Sequence, residues 1–241
     1  MSRESTRQGV QYREHSIEGL RVLEVVVGRV DFEARLPMVM QIHGRGDRAR
    51  VPEGSLDPGG RPMRILVPEA PRPAGLGFTW SPVSVTANRP TVLGAALVRE
   101  ADRLARVLRH VESMRDVQGR PIVTGFSQGA MLTYTLAVRH PEAIGAALPI
   151  SGWIPPHIVP RARPQGDQRV SILALHGTGD PIVRVGPTRV AVRRLRHLGY
   201  DVHLEEIPGA AHEVVPEMRR RHRELLRSVL RRVIGRDGPS A

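Results

Sequence analysis

Three side chains, far apart in the 241-residue chain, have the types and the order that acyl-transfer chemistry needs. Ser127 lies at the centre of Gly125-Phe126-Ser127-Gln128-Gly129, a G-x-S-x-G pattern. The β-branched run Ile122-Val123-Thr124 precedes it, and Ala130 to Val138, a stretch that can be helical, follows. Strand, sharp turn and helix would place the serine in a strained conformation at the apex, with small residues required two positions either side. A β-carbon at Gly125 or Gly129 would crowd the adjoining strand or helix. The turn would also aim the free N–H groups of the helix at the serine oxygen. Asp180 follows 53 positions later, and His212 lies 32 beyond that. Both stand in Gly/Ala-rich loops at the ends of apolar strands, where polar groups of α/β sheets gather.

The chemistry explains the types. A serine hydroxyl is a poor nucleophile at neutral pH. A histidine titrating near neutrality can take its proton and return it to the leaving group. An aspartate holds the imidazole tautomer and stabilises its cation. Ser…Asp…His is the chain order of an α/β-hydrolase triad. Glu213, Glu205 and Glu206 are the competing acids. The other histidines read as structural or exposed, with His43 and His176 expected to bond loop backbone. An oxyanion hole needs two donors: the backbone N–H of Gln128, after the serine, and that of Arg45, in the loop after the strand ending at Ile42.

The elements that must position these groups alternate. Apolar strands are expected at Leu20–Val30, Pro37–Ile42, Met63–Val67, the run before Ser127, Ala143–Ile150, Val170–Leu175 and Val202–Ile207. The Phe32–Pro37 region is expected to pair with the first strand as an antiparallel edge. Amphipathic helices are expected at Arg89–Met114, from the elbow to about His140, at 187–198 and at Pro216–Ile234. That alternation argues for an α/β fold, a mostly parallel sheet with helices on both faces. Residues 1–16 read as a flexible tail, 17–236 as one domain. The segments 48–62, Pro68–Pro82 and 155–166 read as irregular loops.

Composition narrows the class. Hydrophobic residues make up 40% of the chain, there is no cysteine, and no apolar run approaches the ~20 residues of a membrane span. Disulfides and thiol chemistry are excluded. The polar N-terminus has no signal-peptide core, so the expected setting is cytoplasmic. The net charge is +12, and all 36 basic residues are arginine. Eight scattered aromatics form no stacking platform, which argues against specific nucleic-acid binding and for loose attraction to polyanions at low salt. No His/Asp/Glu group has metal-ligand spacing and no dinucleotide fingerprint occurs, so neither metal nor cofactor is expected.

Five motifs, Ile42–Asp47, Gly125–Ala130, Ile150–Gly152, His176–Pro181 and Gly209–His212, resemble those of the phospholipase/carboxylesterase family of α/β hydrolases. That family includes acyl-protein thioesterases and bacterial carboxylesterases. The resemblance runs over about residues 36–235. It implies an α/β-hydrolase fold and a cofactor-free serine hydrolase, with Ser127, Asp180 and His212 as nucleophile, acid and base. It implies Arg45 and Gln128 as oxyanion donors, and Phe78, Trp80 and Trp153 as candidate acyl-pocket residues. The expected substrate is a small-molecule carboxylic ester of short to medium acyl length, and the partner, if any, a second copy of the chain. An acyl thioesterase or lysophospholipase, transfer to an acceptor other than water, and an inert hydrolase-fold binding protein are the alternatives.

Overall fold

The computed structural model describes residues 5–7, 10–50, 60–162 and 170–235. Strands β1 (Ser5–Arg7), β2 (Val10–Ile17), β3 (Leu20–Val27), β4 (Met38–Ile42) and β5 (Met63–Pro68) come first. A small separate hairpin, β6 (Arg72–Ala74) and β7 (Gly77–Thr79), precedes helix α1 (Pro90–Met114). Strict alternation follows: β8 (Ile122–Phe126), α2 (Gln128–Arg139), β9 (Ala146–Ile150), β10 (Ser171–Gly177), α3 (Val185–His197), β11 (Val202–Ile207) and α4 (Pro216–Gly235).

Nine strands form one sheet in the order β1-β2-β3-β5-β4-β8-β9-β10-β11. From β5 across to β11 every pairing is parallel, whereas β1, β2, β3 and β5 pair antiparallel. The expected mostly parallel sheet is therefore built, with an antiparallel flank at its amino-terminal edge. Strand alternation sends Met38 and Met40 into one core with Leu97 and Leu104 of α1, Leu132 of α2 and Leu195 of α3. Val39 and Ile122 point the other way, into a second core with Leu226, Val229 and Leu230 of α4. Helices thus cover both faces. Burying such side chains stabilises the fold by roughly 1.5–3 kcal/mol each.

Three expectations need correction. Residues 10–16 are not a tail: they lie in β2, which pairs with β3 along its whole length, from Val10 opposite Val27 to Ile17 opposite Leu20. Val10 and Tyr12 pack on the α4-side core, while Arg13 pairs with Glu33 and His15 with Glu24. This half-polar alternation suits a strand near a sheet edge. The partners of β3 are accordingly β2 and β5, not residues 32–37. The Pro68–Pro82 segment is also less irregular than expected, since Arg72 to Thr79 close a short hairpin around Gly75, which has a positive φ of 60°. Residues 51–59 of the 48–62 loop and 163–166 of the 155–166 loop lie outside the described residues.

Among the described residues, no helix is long and apolar enough to cross a membrane.

Candidate active site

β8 lies near the middle of the sheet, and Ser127 follows it directly. The serine has φ 55° and ψ −116°, a conformation rarely tolerated by a residue with a side chain, and it caps α2. Sterics at its neighbours explain why the turn can be this tight. A β-carbon on Gly129 would lie 2.1 Å from the carbonyl oxygen of Ile42, and one on Gly125 would lie 2.5 Å from the backbone of Gly129. Only glycine lets α2 approach β4 and β8 so closely. The Ser127 N–H donates to the Ile150 carbonyl, 3.0 Å away, which ties the turn to the end of β9.

The three residues singled out in the sequence converge. His212 Nδ1 lies 2.7 Å from Asp180 Oδ2, and His212 Nε2 lies 2.9 Å from Ser127 Oγ. A carboxylate only accepts, so Nδ1 carries the hydrogen and Nε2 presents its lone pair to the serine O–H. Asp180 is buried, and its other oxygen accepts from the N–H groups of Ile182 and Val183 at 2.9 and 2.8 Å. The carboxylate is therefore held on both oxygens and cannot rotate away. The ring of Phe126 lies 4.9 Å from that of His212, tilted by 34°.

The rival acids are engaged elsewhere. Glu205 pairs with Arg221 and Glu206 with Arg189, and those arginine hydrogen bonds hold both carboxyls below their ordinary range. Glu213 is exposed. His43 and His176 bond backbone, as expected. His43 Nδ1 donates to the Gly44 carbonyl and its Nε2 accepts from the Ala70 N–H. His176 Nε2 donates to the Val183 carbonyl. Burial lowers the pKa of both imidazoles and keeps them neutral. His176 thereby props the same loop segment that clasps Asp180.

Arg45 and Gln128 border the cavity that contains Ser127 and His212, a space of about 220 Å³. Among the described residues the Arg45 N–H makes no hydrogen bond, and the Gln128 N–H belongs to the first turn of α2, which has no intrahelical acceptor. The Gln128 side chain is committed: its oxygen accepts from Thr79 Oγ1 and from the Trp80 N–H, at 2.9 and 2.8 Å.

The expected acyl-pocket residues do not line this cavity. Trp80 is fully buried, lies tilted against His43 and donates its indole N–H to the His43 carbonyl. Phe78 lies under Arg48, and Trp153 packs at the edge of the core. The apolar walls are Val85, Leu93, Met131 and Ile182. None of the four was among the pocket residues expected from the sequence. The available signal for Ile182 was its place two residues after Asp180.

The family model for phospholipase/carboxylesterase matches residues 102–230, more than half of the chain and a span that includes all three residues. The chain belongs to the phospholipase/carboxylesterase family. It is 29% identical over 104 residues to acyl-protein thioesterase 1 of Gibberella zeae, covering 42% of this chain and 44% of that protein. It is 29% identical over 97 residues to a probable carboxylesterase of Oryza sativa subsp. japonica, covering 39% and 36%. The matched stretch thus spans less than half of either relative. A carboxylesterase from Mesorhizobium loti superposes with a TM-score of 0.68 at 18% identity, covering 93% of this chain and 98% of that one. Esterase PE8 does so with a TM-score of 0.67 at 22% identity, covering 81% and 94%. These likenesses establish the α/β-hydrolase fold.

Proposed function

We propose that the protein hydrolyses carboxylic esters of short to medium acyl length through an acyl-enzyme on Ser127. The observation that carries this reading is the continuous chain of contacts from Asp180 through His212 to Ser127 Oγ. His212 Nε2 takes the hydroxyl proton as Oγ attacks the ester carbonyl carbon, and the carbonyl electron pair moves onto oxygen. The N–H groups of Arg45 and Gln128 receive that oxyanion. As the tetrahedral centre collapses, the carbon–alkoxy bond breaks and His212 hands its proton to the departing alcohol. Water, deprotonated by His212, then attacks the acyl-serine, and the acid leaves as Ser127 recovers its proton. Asp180 keeps the imidazole oriented throughout and offsets its transient positive charge. The apolar walls and small volume favour a short acyl chain, since pockets for drug-sized ligands begin at roughly 300 Å³.

A fluorophosphonate probe tests the reading. One adduct on Ser127, located by intact mass and peptide mapping and slowed by excess ester present during labelling, is expected. A chain that stays unlabelled is not a serine hydrolase. Thioester cleavage would use the same groups and is favoured as the second reading by the likeness to acyl-protein thioesterase 1. A length series of p-nitrophenyl esters beside matched acyl-CoA substrates separates the two.

A further inference from the structure

A second cavity, of about 210 Å³, is lined by Phe126 among others and shares no lining residue with the first. It opens at the carboxyl ends of β4 and β8, on the face covered by α4. Strand register makes its floor unusual. Val39 and Ile122 are cross-strand partners, and both join the apolar core beneath α4. Two residues on, the same face carries the partners Gln41 and Thr124, so the core turns polar where the cavity begins. Thr124 is spoken for: its hydroxyl donates to the Leu148 carbonyl and accepts from His222 Nε2, both at 2.8 Å. Gln41 is not. Its Oε1 is sealed from solvent and has no partner among the described residues, and the residue lines the cavity.

The rim is cationic. Arg48, Arg50 and Arg219 line it, and Asp47 is the one carboxylate in the lining. Asp47 holds Arg50 at 3.3 Å. No carboxylate pairs with the other two among the described residues: Arg219 donates to the Val214 carbonyl and Arg48 to the Leu76 carbonyl. Each guanidinium has five N–H donors, so most remain available. A concave site lined by a glutamine amide and by two guanidinium groups that have no carboxylate partner among the described residues suits a small oxyanion, held by charge-assisted bonds that arginine can make two at a time.

We propose that this cavity is an anion site, separate from the ester site, that takes a phosphate-like oxyanion. Phe126, in its lining, lies 4.9 Å ring to ring from His212, the proposed base, which borders the first cavity.

Calorimetric titration of the Ser127→Ala protein with inorganic phosphate, at physiological ionic strength, tests this without reference to catalysis. One saturable site per chain is expected. Arg219→Gln and Arg48→Gln should each weaken it by about tenfold or more, the scale of a lost charge-assisted bond. Arg48 is exposed, so its replacement leaves the fold intact. Gln41→Met should weaken binding as well. Arg193→Gln, on the exposed face of α3, should leave it unchanged. Unsaturable binding, or equal loss in the Arg193 variant, would mean diffuse attraction to an arginine-rich surface and overturn the proposal. In wild-type protein, phosphate should leave the KM for p-nitrophenyl acetate unchanged. Competition between the two would overturn the separateness of the sites.

Discussion

Two of the histidine–carboxylate pairs are of nearly equal length and lie in opposite regions of the sheet. At the parallel side His212 lies 2.7 Å from Asp180, and on the antiparallel flank His15 lies 2.6 Å from Glu24. The pair alone decides nothing. Asp180 accepts only neutral backbone N–H groups besides the imidazole, and the far nitrogen of His212 faces a hydroxyl in a cavity. Glu24 is saturated by charge. Arg64, itself fully buried, bonds one oxygen, and Arg115 bridges both at 2.8 and 3.1 Å. Arg13, Arg64 and Arg115 also stand within 4.1–5.4 Å of the Phe32 ring. One carboxylate is left able to respond to a change of charge on its histidine. The other has been neutralised so thoroughly that it serves as a rivet between β3, β5 and the end of α1.

The largest effect that would break this comparison is at Ser127. Ser127→Ala should lower kcat by four or more powers of ten with an unchanged melting temperature. Asp180→Asn comes next, with a loss of about 10⁴ in kcat expected from a wrong imidazole tautomer. A fall of less than tenfold would mean that another acid orients His212.

On the flank the expected readout is stability. Glu24→Gln leaves the buried Arg64 uncompensated and should cost about 3–5 kcal/mol in denaturant unfolding, while kcat of the folded fraction stays the same. Burial alone would raise the Glu24 pKa, but hydrogen bonds from His15 and Arg115, with the charges of Arg64 and Arg115, outweigh it and bring it down to about 2. Its folded value therefore lies below its unfolded one. The stabilisation, roughly 3 kcal/mol, is complete above the ordinary carboxylate range and disappears as pH falls toward 2. The difference in unfolding free energy between wild type and Glu24→Gln should shrink over that interval. A pH-independent difference would remove the electrostatic account. The smallest effect belongs to Arg45→Ala. The proposed donor there is backbone and the side chain is exposed, so kcat should change by less than about threefold.

The arrangement around Ser127 was more legible in the sequence than the flank, for a physical reason. Steric need at Gly125 and Gly129 is local, and it acts through backbone that any reader of the motif can place. Strand order then fixes which loop ends meet, so Asp180 and His212 follow from topology. Neither argument reaches β2. In its run VQYREHSI, Gln11, Arg13 and His15 find their partners, Val30, Glu33 and Glu24, later in the chain. Nor does residue type reveal exposure: Trp80 looked like a pocket wall, yet its indole N–H is satisfied deep in the core. The aliphatic residues that do form the wall carry no mark that separates them from ordinary core.

Gln128 joins two parts of the molecule that would otherwise be independent. It borders the cavity that holds Ser127, and its amide oxygen accepts from the Thr79 hydroxyl at the end of the β6–β7 hairpin and from the Trp80 N–H just beyond it. Loosening of that hairpin on heating would pull directly on the first turn of α2. Turnover should therefore decline at temperatures where far-ultraviolet circular dichroism still reports an intact sheet.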